Sequence, residues 1–136
     1  CAERHREALG RFVRDHVDIL FANEDEAASL CDSDIASATE TLCGQVGEAV
    51  ITRGENGAFV GSGDIRHECA AQPFGGVEDT TGAGDLFAAG YLFGRTNGRD
   101  PLASGLIASL AAGEVISHIG ARPQADVAAM IAAEKL

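Results

Sequence analysis

Apolar positions along the 136-residue chain change period several times, and each change marks an element. Leu9, Phe12, Val13 and His16 recur at helical spacing, so Ala2 to His16 reads as a helix. Val17 to Ala22 is a short, nearly continuous apolar run, as a buried strand would be. Asn23-Glu24-Asp25-Glu26 supplies a cap and first-turn acids for a short helix ending near Leu30. Asp34 to Gln45 repeats the amphipathic pattern. Gly47 to Gly54 reads as a strand running into a turn. Glu55-Asn56-Gly57 then opens a hairpin, with strands Ala58–Val60 and Ile65–Glu68 joined through Gly61-Ser62-Gly63-Asp64. After a loop at Pro73–Gly76, a helix is predicted from about Ala83 to Gly94. A long one starts at Asp100-Pro101 and ends at Gly120, and a last helix runs from about Gln124 to Ala133. Helices alternating with buried strands predict an α/β layer with a mostly parallel sheet and one hairpin.

Charge narrows the function classes. The formal charge is −11, from 10 Lys and Arg against 21 Asp and Glu. That opposes a nucleic-acid partner or an anionic membrane surface, and any phosphate site must be made locally. No apolar run reaches membrane-spanning length; Leu102 to Gly120, with Ser104, Ser109, Glu114, Ser117 and His118 inside it, reads as a buried helix. The four cysteines are scattered without metal spacing, which fits reduced thiols in a cytoplasmic protein. The length suits one domain, and a start at Cys1 rather than Met suggests a fragment or a processed chain.

The chemistry concentrates at Asp79-Thr80-Thr81-Gly82-Ala83-Gly84-Asp85-Leu86-Phe87-Ala88-Ala89-Gly90. A small-residue loop runs straight into a helix start. Its free N–H groups and the positive end of the helix dipole make an anion site. Asp85 stands at that mouth, where it would repel a bound phosphate, so it needs a reason to be there. A general base taking the proton of a hydroxyl that attacks the phosphate supplies one. The competing reading is an ordinary first-turn acid. Three other chemistries are absent from the sequence. No Gly-x-x-x-x-Gly-Lys-Ser/Thr occurs, Phe87 stands where a dinucleotide fingerprint needs Gly or Ala, and there is no Gly-x-Ser-x-Gly.

The Asp79–Asp85 string resembles the C-terminal signature of the PfkB, or ribokinase, family of carbohydrate kinases. Three further features fall in the family's order: Asn23-x-x-Glu26 after a strand, Thr52-Arg53-Gly54-Glu55-Asn56-Gly57 as the Thr-x-Gly-x-x-Gly nucleotide turn, and Ile119-Gly120-Ala121-Arg122-Pro123 as the Gly-Ala-x-Pro turn. The resemblance implies a ribokinase-like three-layer α/β/α fold. Residues 1–136 would be its C-terminal nucleotide-binding and catalytic portion, without the family's N-terminal half and lid.

Roles follow from the resemblance residue by residue. Asp85 would be the base, and the N–H groups of Gly82, Ala83, Gly84 and Asp85 the anion hole. Asn23 and Glu26 would organise Mg²⁺ through water, although they equally suit a helix cap without metal. Thr52, Arg53, Gly54 and Gly57 would line ATP, with Arg53 equally suited to a solvated surface. Ser109 matches a position near adenine. Asp79, Thr81, Val115, His118, Gly120 and Gln124 match a monovalent-cation site, K⁺ in many relatives. His118 equally suits a helix terminus. The implied reaction is ATP-dependent phosphorylation of a primary hydroxyl. An adenosine kinase-like enzyme is favoured, with a ribokinase or fructokinase type, or a nucleotide-binding module without turnover, as the alternatives. The family's dimers form through the lid.

Overall fold

The computed structural model describes residues 4–72 and 74–136. Cys1, the expected helix start at Ala2, and Pro73 lie outside the described residues. The chain divides into two compact units: the residues up to Arg53 with Phe59–His67, and Gly54–Ala58 with Glu68–Leu136.

The first unit carries the sheet. Helix α1 (Arg6–His16) leads to strand β1 (Ile19–Asn23), helices α2 (Glu24–Cys31) and α3 (Ile35–Cys43), and strand β2 (Glu48–Thr52). Strands β3 (Ala58–Ser62) and β4 (Ile65–Cys69) complete a four-stranded sheet in the order β1-β2-β3-β4. β1 and β2 are parallel, with Ile19 opposite Glu48 and Asn23 opposite Thr52. Ala49, Val50 and Ile51 of β2 are fully buried, as an interior strand of an α/β layer requires. Val13, Ala22, Ala27, Ala38 and Leu42 close the core around that strand. The Asp34 carboxylate caps α3 by accepting from the Ser37 N–H at 3.0 Å. The hairpin turns at Gly63-Asp64, and Arg66 fastens it to α3 through the Glu40 carboxylate at 3.0 Å.

The second unit is built on helices α4 (Ala83–Thr96), α5 (Pro101–Val115) and α6 (Val127–Ala133). Asp100 caps α5, accepting from the Ala103 N–H at 2.8 Å, and Pro101 fills the first position. α4 packs along α5 through small residues. A Cβ on Gly90 would lie 2.8 Å from Ala108 Cα, so only glycine permits this approach of the two helices.

The long helix ends earlier than its apolar pattern predicts. α5 stops at Val115, not at Gly120, because the polar groups that would extend it are engaged elsewhere. A continued helix would pair the Ile116 carbonyl with the Gly120 N–H. The Ile116 carbonyl instead accepts from the N–H groups of Glu78 at 2.8 Å and Asp79 at 3.4 Å. The Gly120 N–H donates to Asp79 Oδ2 at 3.1 Å. The last helix likewise starts at Val127 rather than Gln124. The N–H groups of Gln124 and Ala125 go to the Glu114 side chain, and Asp126 is the cap.

Candidate active site

In the second unit, the Asp79–Asp85 loop enters α4 through a left-handed turn. Gly82 is the N-cap residue at φ +84°, ψ −2°, a conformation that costs an L side chain strain. Its room is also limited: a Cβ there would sit 2.7 Å from Ala121 Cβ and 3.3 Å from the Ala121 carbonyl oxygen. Glycine is therefore required twice, for torsion and for the close approach of the 119–123 turn.

Behind Gly82, Ala83, Gly84 and Asp85 hold the first helical positions. The Ala83 N–H donates to the Thr80 carbonyl at 3.2 Å, closing the turn. The N–H groups of Gly84 and Asp85 precede the first intrahelical bond, which the Leu86 N–H makes to the Gly82 carbonyl at 2.9 Å. Both residues are exposed at the positive end of a 14-residue helix. Asp85 is the acidic residue of that first turn.

Asp79 fixes the loop. Its Oδ1 accepts from the Thr81 N–H at 2.9 Å and its Oδ2 from the Gly120 N–H at 3.1 Å. The Thr81 hydroxyl, the Thr81 N–H and the Gly120 N–H together hold its pKa below the usual carboxylate value. Asp79 is therefore a charged staple between the loop and the 116–120 segment.

A second carboxylate holds that segment from the other side, and sequence reasoning had assigned it no role. Glu114 is 1% exposed. Its Oε1 accepts from the N–H groups of Gln124 at 2.9 Å and Ala125 at 2.8 Å, and lies 3.3 Å from His118 Nε2. Burial pushes its pKa up, but the Ala125 and Gln124 donors and the His118 ring outweigh this and leave it lowered. Oε2 is buried without a partner among the described residues. An acid inside the run Leu110-Ala111-Ala112-Gly113-Glu114-Val115 was the available signal.

The two carboxylates make two bonded sets, Asp79 with Thr81 and Gly120, and Glu114 with His118, Gln124 and Ala125, with Val115 fully buried beside Glu114 on α5. No group of three His, Cys, Asp or Glu side chains converges as a metal cage among the described residues. Ser109 is buried inside α5 at 4% exposure, its hydroxyl without a partner among the described residues. Gly54 begins a one-turn 3-10 helix, which closes where the Gly57 N–H donates to the Gly54 carbonyl at 3.0 Å.

In the first unit, the parallel register sets Asn23 and Thr52 opposite each other at the C-terminal ends of β1 and β2. In open α/β sheets that end is where ligands bind. Arg53 follows, half-buried. Asn23 Oδ1 accepts from the Glu26 N–H at 2.8 Å, and Glu26 Oε2 accepts from the Asn23 N–H at 2.9 Å. This is a full capping box. It leaves Glu26 Oε1 as an exposed oxygen outside the box.

The model for the pfkB family carbohydrate kinases matches residues 2–128. The chain belongs to this family. It is 41% identical over 98 residues to a cytidine kinase of Thermococcus kodakarensis, covering 69% of this chain and 35% of that protein. The solved adenosine kinase of Sinorhizobium meliloti superposes over 100% of this chain and 42% of its own, with a TM-score of 0.93 and 40% identity. Arabidopsis thaliana ribokinase, solved with ribose and ATP, matches 82% of this chain and 38% of its own, at TM-score 0.75 and 25% identity. The fold is therefore ribokinase-like α/β, and the chain spans less than half the length of these relatives. No helix among the described residues is long and apolar enough to cross a membrane.

Proposed function

We propose that residues 1–136 are the nucleotide-binding and catalytic portion of an ATP-dependent kinase that phosphorylates the primary hydroxyl of a nucleoside, adenosine being favoured. The observation that carries this is the left-handed Gly82 cap followed by the exposed first-turn residues Gly84 and Asp85.

The acceptor hydroxyl gives its proton to Asp85 as its oxygen attacks the γ-phosphorus in line. The new P–O bond forms as the bond to the β-phosphate oxygen breaks, and ADP leaves. In a loose phosphoryl-transfer transition state the proton departs late, so an ordinary carboxylate suffices as base. The N–H groups of Gly82, Gly84 and Asp85 receive the charge on the phosphoryl oxygens. The Ala83 N–H, held by the Thr80 carbonyl at 3.2 Å, is not a donor to this hole and instead keeps the turn closed behind it. Thr52, Arg53, Gly54 and Gly57 line the nucleotide, with Ser109 on the adenine side.

Mg²⁺, when bound, neutralises charge on the ATP phosphates. The residues fit an outer role for it, since the capping box occupies Asn23 Oδ1 and Glu26 Oε2 and leaves Glu26 Oε1 to orient a metal-bound water. K⁺ would lie by the Asp79, Thr81, Val115, His118, Gly120 and Gln124 cluster and reinforce the charge already held on Asp79. The thiols of Cys31 and Cys43 suit a cytoplasmic location.

Adenosine is favoured by the 40% identity to an adenosine kinase across the whole chain. A sugar acceptor is the second reading, favoured by the match to a ribokinase solved with ribose. The test is ATP turnover by the protein at its natural length, with Mg²⁺ and K⁺, against adenosine, ribose and fructose separately. Selective turnover of adenosine supports the proposal. Selective turnover of ribose or fructose replaces the acceptor. ATP binding without turnover of these or a wider set of alcohols makes the chain a binding module.

A further inference from the structure

The geometry points to Glu114 as a positioning residue that sets the anion-hole loop from the far side of the 118–125 turn; this rests on the kinase reading. Glu114 touches none of the reacting atoms. Its Oε1 gathers the Gln124 and Ala125 N–H groups and the His118 ring onto the end of α5. Those residues lie on either side of Gly120 and Ala121. The Gly120 N–H holds Asp79 Oδ2, and Ala121 is the residue against which Gly82 is packed. A single buried oxygen therefore fixes the turn that in turn fixes both the Asp79 staple and the Gly82 cap. A helix end that merely needed stopping would not require an acid 1% exposed whose second oxygen has no partner among the described residues.

Two variants of the natural-length protein separate reach from charge. Glu114→Gln keeps a carbonyl oxygen where Oε1 stands and puts its amide nitrogen where no bond existed. Glu114→Ala removes every contact; Glu114→Asp, which shortens the reach by one methylene, replaces it should the alanine variant not fold. Amide hydrogen exchange is read at Thr81 and Gly120, and kcat and the KM for ATP are counted per ATP-binding site. Glu114→Ala is expected to speed exchange at both amides by about tenfold or more. It should also lower kcat by about tenfold to a hundredfold with little change in KM, as misplacing groups that act in the transition state does. Glu114→Gln is expected within about threefold of wild type in both readouts. Unchanged exchange in Glu114→Ala overturns the inference, as does a Glu114→Gln variant as damaged as Glu114→Ala. The exchange readout does not depend on turnover. A wild type that phosphorylates nothing therefore removes the kinase reading, while the exchange result still decides whether Glu114 holds the loop.

Discussion

Replacing Gly82 by alanine puts a methyl group where the loop has no room for it. The new Cβ would stand 2.7 Å from Ala121 Cβ and 3.1 Å from Ala121 Cα, on a backbone held at φ +84°. The left-handed torsion alone costs an alanine about 1–2 kcal/mol. Relieving the contact requires the 119–123 turn to retreat by about 0.7 Å, since ordinary carbon contacts begin near 3.4 Å. Overpacking of this kind costs about 1–3 kcal/mol when neighbours resist. They do resist here: Gly120 is tied to Asp79, and Gln124 and Ala125 are tied to buried Glu114. The expected loss of stability is about 2–5 kcal/mol, read as a lower urea midpoint at unchanged slope. A shift approaching 1 Å at the helix mouth should lower kcat per ATP-binding site by about tenfold to a hundredfold. Wild-type stability together with wild-type turnover in Gly82→Ala would refute the reasoning, because the loop would then have slack that its bonding pattern denies.

Gly84→Ala is the contrasting change. Its Cβ meets nothing within 4 Å, so stability should hold or rise by up to about 1 kcal/mol, yet turnover should fall as the methyl group crowds the anion site. Asn23→Ala removes the acceptor for the Glu26 N–H and should cost about 1 kcal/mol in urea unfolding. Glu26→Gln preserves the box through its amide oxygen, so the urea midpoint should stay while the Mg²⁺ concentration for half-maximal turnover rises. Asp79 and Glu114 both have folded pKa values below their ordinary ones, so the stability they add is fully present above about pH 4.5. It is lost as pH falls through the folded values. The urea midpoint of the wild type should therefore drop as pH falls below about 4.5, and Asp79→Asn should flatten that drop.

Local chemistry made most of the elements legible in the sequence. Asn23, Asp34 and Asp100 each cap the helix that follows, and the apolar run before Asn23 is the strand β1. The helix start at Ala83 was readable because Gly82 and Gly84 leave the backbone bare and Asp85 suits a first turn. The end of α5 was not readable. Its apolar period continues past Val115, and only tertiary partners, the Glu78 and Asp79 N–H groups on the Ile116 carbonyl and Asp79 on Gly120, stop the helix there. The role of Glu114 was hidden for the same reason, since its bonds reach residues 10 and 11 positions away. The resemblance had marked Asp79, Gly120 and Gln124 individually. That Asp79 bonds Thr81 and Gly120 while Glu114 bonds His118 and Gln124 is a property of the folded chain.

The claim that Asp85 is the base is tested most directly by Asp85→Asn in the natural-length protein, with ATP binding and turnover measured on the same sample. The change keeps size and hydrogen-bonding capacity at an exposed first-turn position, so the fold and the ATP affinity should hold within about threefold. Turnover of the acceptor should fall at least about a hundredfold. Turnover within a few-fold of wild type would contradict the account, leaving Asp85 as a helix-end charge and the proton with another group.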